Sequence, residues 1–142
     1  MNETTHTIKE AARLTGVSQD TLRYYEKIGL LAPIARTESG HRRYDEIDLA
    51  WVRFFTILRA TGMPICRMLA FAELEREGDS TIDERRALLE EHRGEVVRRI
   101  EELGRSLGTI DAKIAHFRDV SKTCIYPLDA EVPDAETEKQ KA

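Results

Sequence analysis

The sequence predicts a mainly α chain: a small domain of short helices, then one long helix that needs a partner. Three observations predict it. Residues 7–29 carry two short helical patterns separated by a four-residue hinge. Residues 45–78 carry two more, bounded by caps, a glycine and a proline. Residues 82–120 hold an apolar seven-residue repeat.

Thr7 and Glu10 form a T-x-x-E capping box, so the first helix starts at Ile8. Ile8, Ala11 and Ala12 share one face of it, and Gly16 ends it. Ser18 caps the second helix. Leu22, Tyr25 and Ile28 turn toward a core, while Gln19, Arg23 and Lys27 recur at i, i+4, i+8 on the outer face with Tyr24 at its edge. After Gly29, Leu30–Pro33, a turn at Thr37–Gly40 and Arg42–Tyr44 read as a two-stranded wing, with Arg36, His41, Arg42 and Arg43 at its tip and return strand. Asp45 caps a third helix, with Asp48 in its first turn. Gly62 stops it, and Pro64 begins a fourth that ends near Gly78. Thr81 and Glu84 repeat the capping-box spacing ahead of the long helix.

In that helix Ile82, Leu89, Val96, Leu103, Ile110 and Phe117 recur every seven residues, and Ile100, Leu107 and Ile114 fill the alternate seam position. Arg86 and Arg93 occupy that position earlier, so the first heptads are weaker. A helix about 60 Å long cannot bury such a seam by itself, and a second copy of the chain is the simplest partner. Beyond Val120, Lys122–Pro127 reads as a loop and residues 128–142 as a polar, disordered tail.

Composition bounds the function. The chain has 142 residues, 41% hydrophobic and 34% charged, with a net charge of −4. Residues 1–67 hold 10 Lys and Arg against 8 Asp and Glu, and residues 68–142 hold 12 against 18. A basic region therefore survives inside an acidic chain, which is what phosphate binding needs. No apolar run is long enough to span a membrane and no signal peptide is evident, so a cytoplasmic location is expected. Two cysteines do not make a disulfide framework. No catalytic triad or phosphate loop is suggested, and no enzyme is expected.

The segments TLRYYEKIGLLAP (21–33), R-x₄-HRRYDEIDL (36–49) and LRATGMPI (58–65) together strongly resemble the MerR family of bacterial transcription regulators. The resemblance runs from residue 7 to about 118. The pattern around RATGMPI and EGDSTIDER is most similar to the aldehyde- and nitrosative-stress branch, NmlR- and AdhR-like. It implies a winged helix-turn-helix DNA-binding domain at 1–78, a dimerisation helix at 79–120 forming an antiparallel coiled coil, and a loop and tail at 121–142. It implies double-stranded promoter DNA, a second copy of the chain and RNA polymerase as partners. Such a homodimer would bind a palindromic promoter and activate or repress by distorting the spacer DNA, in that branch under electrophile or oxidative stress. An excisionase-like architectural binder and a non-DNA-binding coiled-coil adaptor are the alternatives.

The expected DNA contacts are Gln19, Arg23, Tyr24, Lys27, Arg36, Arg42, Arg43, Tyr44 and Arg59. Gln and Arg can bond a base edge in bidentate fashion, and Lys, Arg and tyrosine hydroxyls suit phosphate oxygens. The expected dimer interface is Leu89, Val96, Ile100, Leu103, Leu107, Ile110, Ile114 and Phe117. Branch members often carry a reactive cysteine within the third helix, where this chain has Ile57. Cys66, beside Arg67 at a helix amino terminus, and Cys124 remain as candidate thiol sensors. With one thiol in the loop and His92 and His116 far apart in sequence, no metal site and no cofactor are expected.

Overall fold

The structure, a computed structural model, describes residues 4–120. The expectations for residues 121–142, including Cys124, the loop and the tail, lie outside the described residues. The described chain forms α1 (Ile8–Thr15), α2 (Gln19–Lys27), α3 (Glu46–Ala60), α4 (Ile65–Glu77) and α5 (Ile82–Val120), with a 3₁₀ turn at Asp79–Thr81. It divides into two compact units, one ending at Val96 and the other beginning at Val97.

Local chemistry sets the boundaries of the first unit. At α1, Thr7 Oγ1 accepts from the Glu10 amide at 3.2 Å, and the Thr7 amide donates to Glu10 Oε1 at 2.8 Å. Gly16 leaves α1 at φ +74°, a left-handed conformation that an L side chain rarely adopts. Ser18 Oγ accepts from the Thr21 amide at 3.1 Å and starts α2. The Asp45–Asp48 box opens α3 in the same reciprocal way, at 2.8 and 2.9 Å. Pro64 is the N-cap of α4 and not its first helical residue. The capping box expected at Thr81 is absent: the Thr81 hydroxyl donates to Leu74 O and to Gly78 O at 2.9 Å, closing the end of α4 and not the start of α5.

The core lies where α1, α2, α3 and α4 meet. Ala11, Leu22, Tyr25, Leu49, Val52, Phe55 and Met68 are all but inaccessible. Trp51, Phe54, Phe55 and Phe71 form an aromatic cluster, with Trp51 stacked on Phe55 at 5.6 Å and Phe55 edge-on to Phe71 at 6.4 Å. The expected wing forms about the Thr37–Gly40 turn, but its first arm is Ala35–Thr37 and not Leu30–Pro33, because the Leu30 and Leu31 amides donate back to Tyr25 O at 2.9 and 3.1 Å. Isolated antiparallel bridges hold it, Arg36 with Arg42 and Tyr44 with His6. The second bridge ties the residues before α1 to the wing's return segment through two backbone hydrogen bonds of 2.8 Å.

The first four turns of α5 also belong to this unit, which places the unit boundary at 96/97, not at the 78/79 boundary expected from sequence. Leu88 and Leu89 pack against the core. His92 is buried and its Nε2 lies 2.7 Å from Thr61 Oγ1 at the end of α3. Arg67 of α4 pairs with Glu91 at 2.9 Å and Glu95 at 3.7 Å. Leu89, expected in the dimer seam, thus lies against its own domain, and Val96 is half-buried at the unit's end. The second unit is described through Val120 and is helical. Its apolar residues Ile100, Leu103, Leu107, Ile110, Ile114 and Phe117 are all exposed.

Candidate nucleic-acid interface

The outer face of α2 is polar because its inner face is used up by the core. Leu22 and Tyr25 are buried and Ile28 packs on the core, which turns Arg23, Tyr24 and Lys27 to solvent, with Gln19 half-exposed. Arg23 is held by Asp20 Oδ1 at 3.1 Å and reaches Gln19 Oε1 at 3.5 Å. An exposed pair of this kind is worth about 0–1 kcal/mol. The guanidinium can therefore be transferred to a base edge or a phosphate at little cost.

Glu26, on the opposite edge of α2, fixes the wing. Its Oε1 accepts from Arg42 Nε at 2.6 Å and its Oε2 from the Ile34 amide at 2.9 Å. Both side chains are largely shielded, Arg42 at 24% and Glu26 at 14% exposure. Burial alone would raise the Glu26 pKa. The Arg42 and Ile34 hydrogen bonds and the charges of Arg42 and Arg36 outweigh it and hold the carboxyl below its ordinary value. Arg42, expected to contact DNA, therefore has its Nε committed to α2. Arg43 is committed too, donating to Thr5 Oγ1 at 3.1 Å and Thr5 O at 3.0 Å. Arg36 is exposed, with Nη1 donating to Gly40 O at 3.0 Å across the turn.

Tyr44 is the one expected contact that the fold removes from the surface. It is fully buried, with its hydroxyl unpartnered, and burial raises its pKa. In an extended segment alternate residues face opposite ways, and the bridge to His6 turns Tyr44 inward. Arg59 is exposed near the end of α3; its pKa is held above the usual arginine range, first by a hydrogen bond to the Tyr25 hydroxyl.

Two open grooves run beside α2. One, of about 610 Å³, lies between α2 and the wing and is lined by Arg23, Tyr24, Lys27 and Arg42 among others. The other, of about 420 Å³, is bounded by Thr7 and Ile8 at the start of α1, by Arg23, and by the wing from Thr37 to Arg43. Arg23 lines both. The structure thus brings Gln19, Arg23, Tyr24, Lys27, Arg36 and Arg42 around one helix and its wing. Arg59 lies with Tyr24 in a separate depression of about 300 Å³ beside Met63, Ile65 and Met68. The sequence reading missed Glu26 and Thr5, whose partners lie 16 and 38 residues away. Among the described residues no cluster of three His, Cys, Asp or Glu could hold a metal ion. Cys66 is exposed.

The profile described as MerR family regulatory protein matches residues 7–44. An uncharacterized HTH-type transcriptional regulator of Haemophilus influenzae is 40% identical over 114 residues, covering 80% of this chain and 84% of the relative. The HTH-type transcriptional regulator AdhR of Bacillus subtilis is 37% identical over 90 residues, 63% of this chain and 64% of AdhR. Among solved structures, HiNmlR is described as a MerR family regulator lacking the sensor domain, bound to promoter DNA. It matches with a TM-score of 0.75 at 39% identity, over 82% of this chain and 92% of that one.

Proposed function

This chain belongs to the MerR family of DNA-binding transcription regulators, and we propose that it acts as a homodimer on a palindromic promoter. The reading is carried by one observation: α2 presents Gln19, Arg23, Tyr24 and Lys27 on a single open face flanked by a wing that Glu26 holds in place. That is the geometry of a recognition helix entering a major groove with a wing beside it on the backbone. HiNmlR, with the same fold, is bound to promoter DNA, which supports carrying the partner over. The exposed apolar row from Ile100 to Phe117 supports the homodimer. By resemblance, the promoter would have an overlong spacer between its −35 and −10 elements. Two domains at a fixed separation would bend and untwist that spacer so that RNA polymerase can use it.

The test is a titration of the duplex upstream of the chain's own coding sequence at fixed salt. Arg23→Ala should weaken specific binding by about 1–3 kcal/mol with assembly unchanged. Tyr24→Phe should cost less, and equally on all sequences. Unchanged affinity in Arg23→Ala rejects α2 as the recognition helix. No specific complex with the wild-type chain favours the adaptor reading, and binding without a dimer favours the excisionase-like one.

For effector sensing, the exposed Cys66 is the thiol that we assign. It precedes Arg67, whose pairs with Glu91 and Glu95 join α4 to α5. An adduct there would press on that link. Cys66→Ser should abolish aldehyde- or nitrosothiol-dependent activation in a reporter assay while leaving DNA affinity unchanged. Normal induction in Cys66→Ser rejects the assignment. The relatives are named as transcription regulators, and among the described residues no helix is long and apolar enough to cross a membrane.

A further inference from the structure

The wing tip carries a hydrogen-bonded circuit that the contacts described so far do not use. The His41 amide donates to Thr37 Oγ1 at 3.1 Å. Thr37 Oγ1 lies 2.9 Å from Ser39 Oγ, and Ser39 Oγ lies 2.9 Å from His41 Nδ1. Gly40 completes the turn at φ +88°, and the Thr37 amide donates to His41 O at 2.8 Å. All of these residues are exposed, so neither burial nor the core demands that the imidazole be held. Its orientation is set by the two hydroxyls alone.

The circuit runs in two senses. In the first, Thr37 O–H donates to Ser39 Oγ and Ser39 O–H donates to Nδ1, so the neutral ring carries its proton on Nε2. In the second, a protonated ring donates from Nδ1 to Ser39, and Ser39 donates to Thr37. Neither sense loses a bond. The ring protonated on Nε2 alone and the doubly protonated ring both carry an Nε2–H donor, and the second adds a positive charge; a neutral ring protonated on Nδ1 closes the same circuit with Nε2 as an acceptor.

Within the groove that His41 lines, the facing charges are Arg23 from α2 and Arg42 and Arg43 from the wing, and α1 contributes only uncharged Thr7 and Ile8. Glu38 is the carboxylate of the turn itself. A groove walled by arginines, with an oriented N–H donor at its rim, suits a phosphate oxygen.

We propose that His41 is a phosphate-binding residue of the wing, that Thr37 and Ser39 position it, and that its protonation tightens the grip on DNA. The proposal rests on the DNA-binding reading above. The experiment titrates the same upstream duplex with the full chain at about pH 6 and about pH 8, across a range of salt. Wild type should bind about tenfold tighter at the lower pH. Its salt slope should steepen by about 2 per dimer, close to one counterion for each wing.

His41→Gln has no side chain that takes up a proton in this range, so it should lose the pH response. His41→Ala should bind about tenfold more weakly at the higher pH and also show no pH response. Ser39→Ala should approach His41→Ala in affinity at the higher pH with an unchanged melting temperature, and Ser39→Thr should restore it. If His41→Ala keeps the wild-type affinity and pH profile, the proposal falls and the DNA-binding reading stands. If wild type forms no specific complex at either pH, both fall together.

Discussion

A chain carrying both Leu103→Glu and Leu107→Glu is expected to sediment as a monomer and to lose its hold on the promoter duplex. Leu103 is 70% and Leu107 57% exposed in the single chain. They sit in a row with Ile100, Ile110, Ile114 and Phe117, all of them exposed. Contiguous apolar surface of this kind marks an interface, and a heptad row on a helix takes another helix. Four carboxylates per dimer would then be buried without partners. Leaving a buried charge unpaired costs about 3–5 kcal/mol, so two such positions per chain exceed what a short seam can supply. DNA binding should fall with assembly, because one half-site offers half the phosphate contacts. The folding of residues 4–96 should be unaffected, and an unchanged near-ultraviolet spectrum would show it, since Trp51 stacks within that unit. Sedimentation that reports an intact dimer would overturn the seam.

The second large effect is expected at Glu26. Replacing it with Ala strands a largely shielded guanidinium and an amide at once, because Arg42 and Ile34 both donate to this carboxylate. The expected loss is about 2–3 kcal/mol of stability, or about 10 °C of melting temperature for a domain of this size. Promoter affinity should also drop, since the wing would no longer be fixed against α2. The pH dependence has a definite sign. The folded-state pKa lies below the ordinary 4.5, so the carboxylate stabilises the fold above that value and the contribution disappears as pH falls through the folded-state value. Wild type and Glu26→Gln should differ in melting temperature near neutral pH and converge in acid as pH falls through the lowered folded-state value. A gap that persists in acid would show that packing, and not charge, makes the difference.

What was legible in the sequence was local. Thr7 with Glu10 and Asp45 with Asp48 are caps closed within three residues, and they start helices where the spacing said they would. The α2 face was legible for the same reason, because helical period assigns Leu22 and Tyr25 inward and Arg23 outward from neighbours alone. Four other readings failed or fell short for physical reasons. Thr81 has the right spacing to Glu84, but its hydroxyl bonds back to Leu74 O and Gly78 O. Tyr44 carries a phenol that suits phosphate, yet the bridge to His6, 38 residues away, turns it into the core. Leu89 fits a heptad, but a helix packed on a globular core shows nearly the same spacing as one packed on another helix. Arg42 and Arg43 were counted as surface cations because their partners, Glu26 and Thr5, are remote in the chain.

The Glu26 clamp also bears on how the specificity of such a protein can be rewritten. The residues that meet a base edge lie on α2, but the carboxylate that anchors the wing lies on the same helix. Transplanting Gln19–Lys27 alone from a relative without an acid at this position would exchange the reading surface and unmoor the wing in one stroke. The smallest exchangeable cassette therefore runs from the Ser18 cap to Tyr44 and carries helix, clamp and wing as one inheritance.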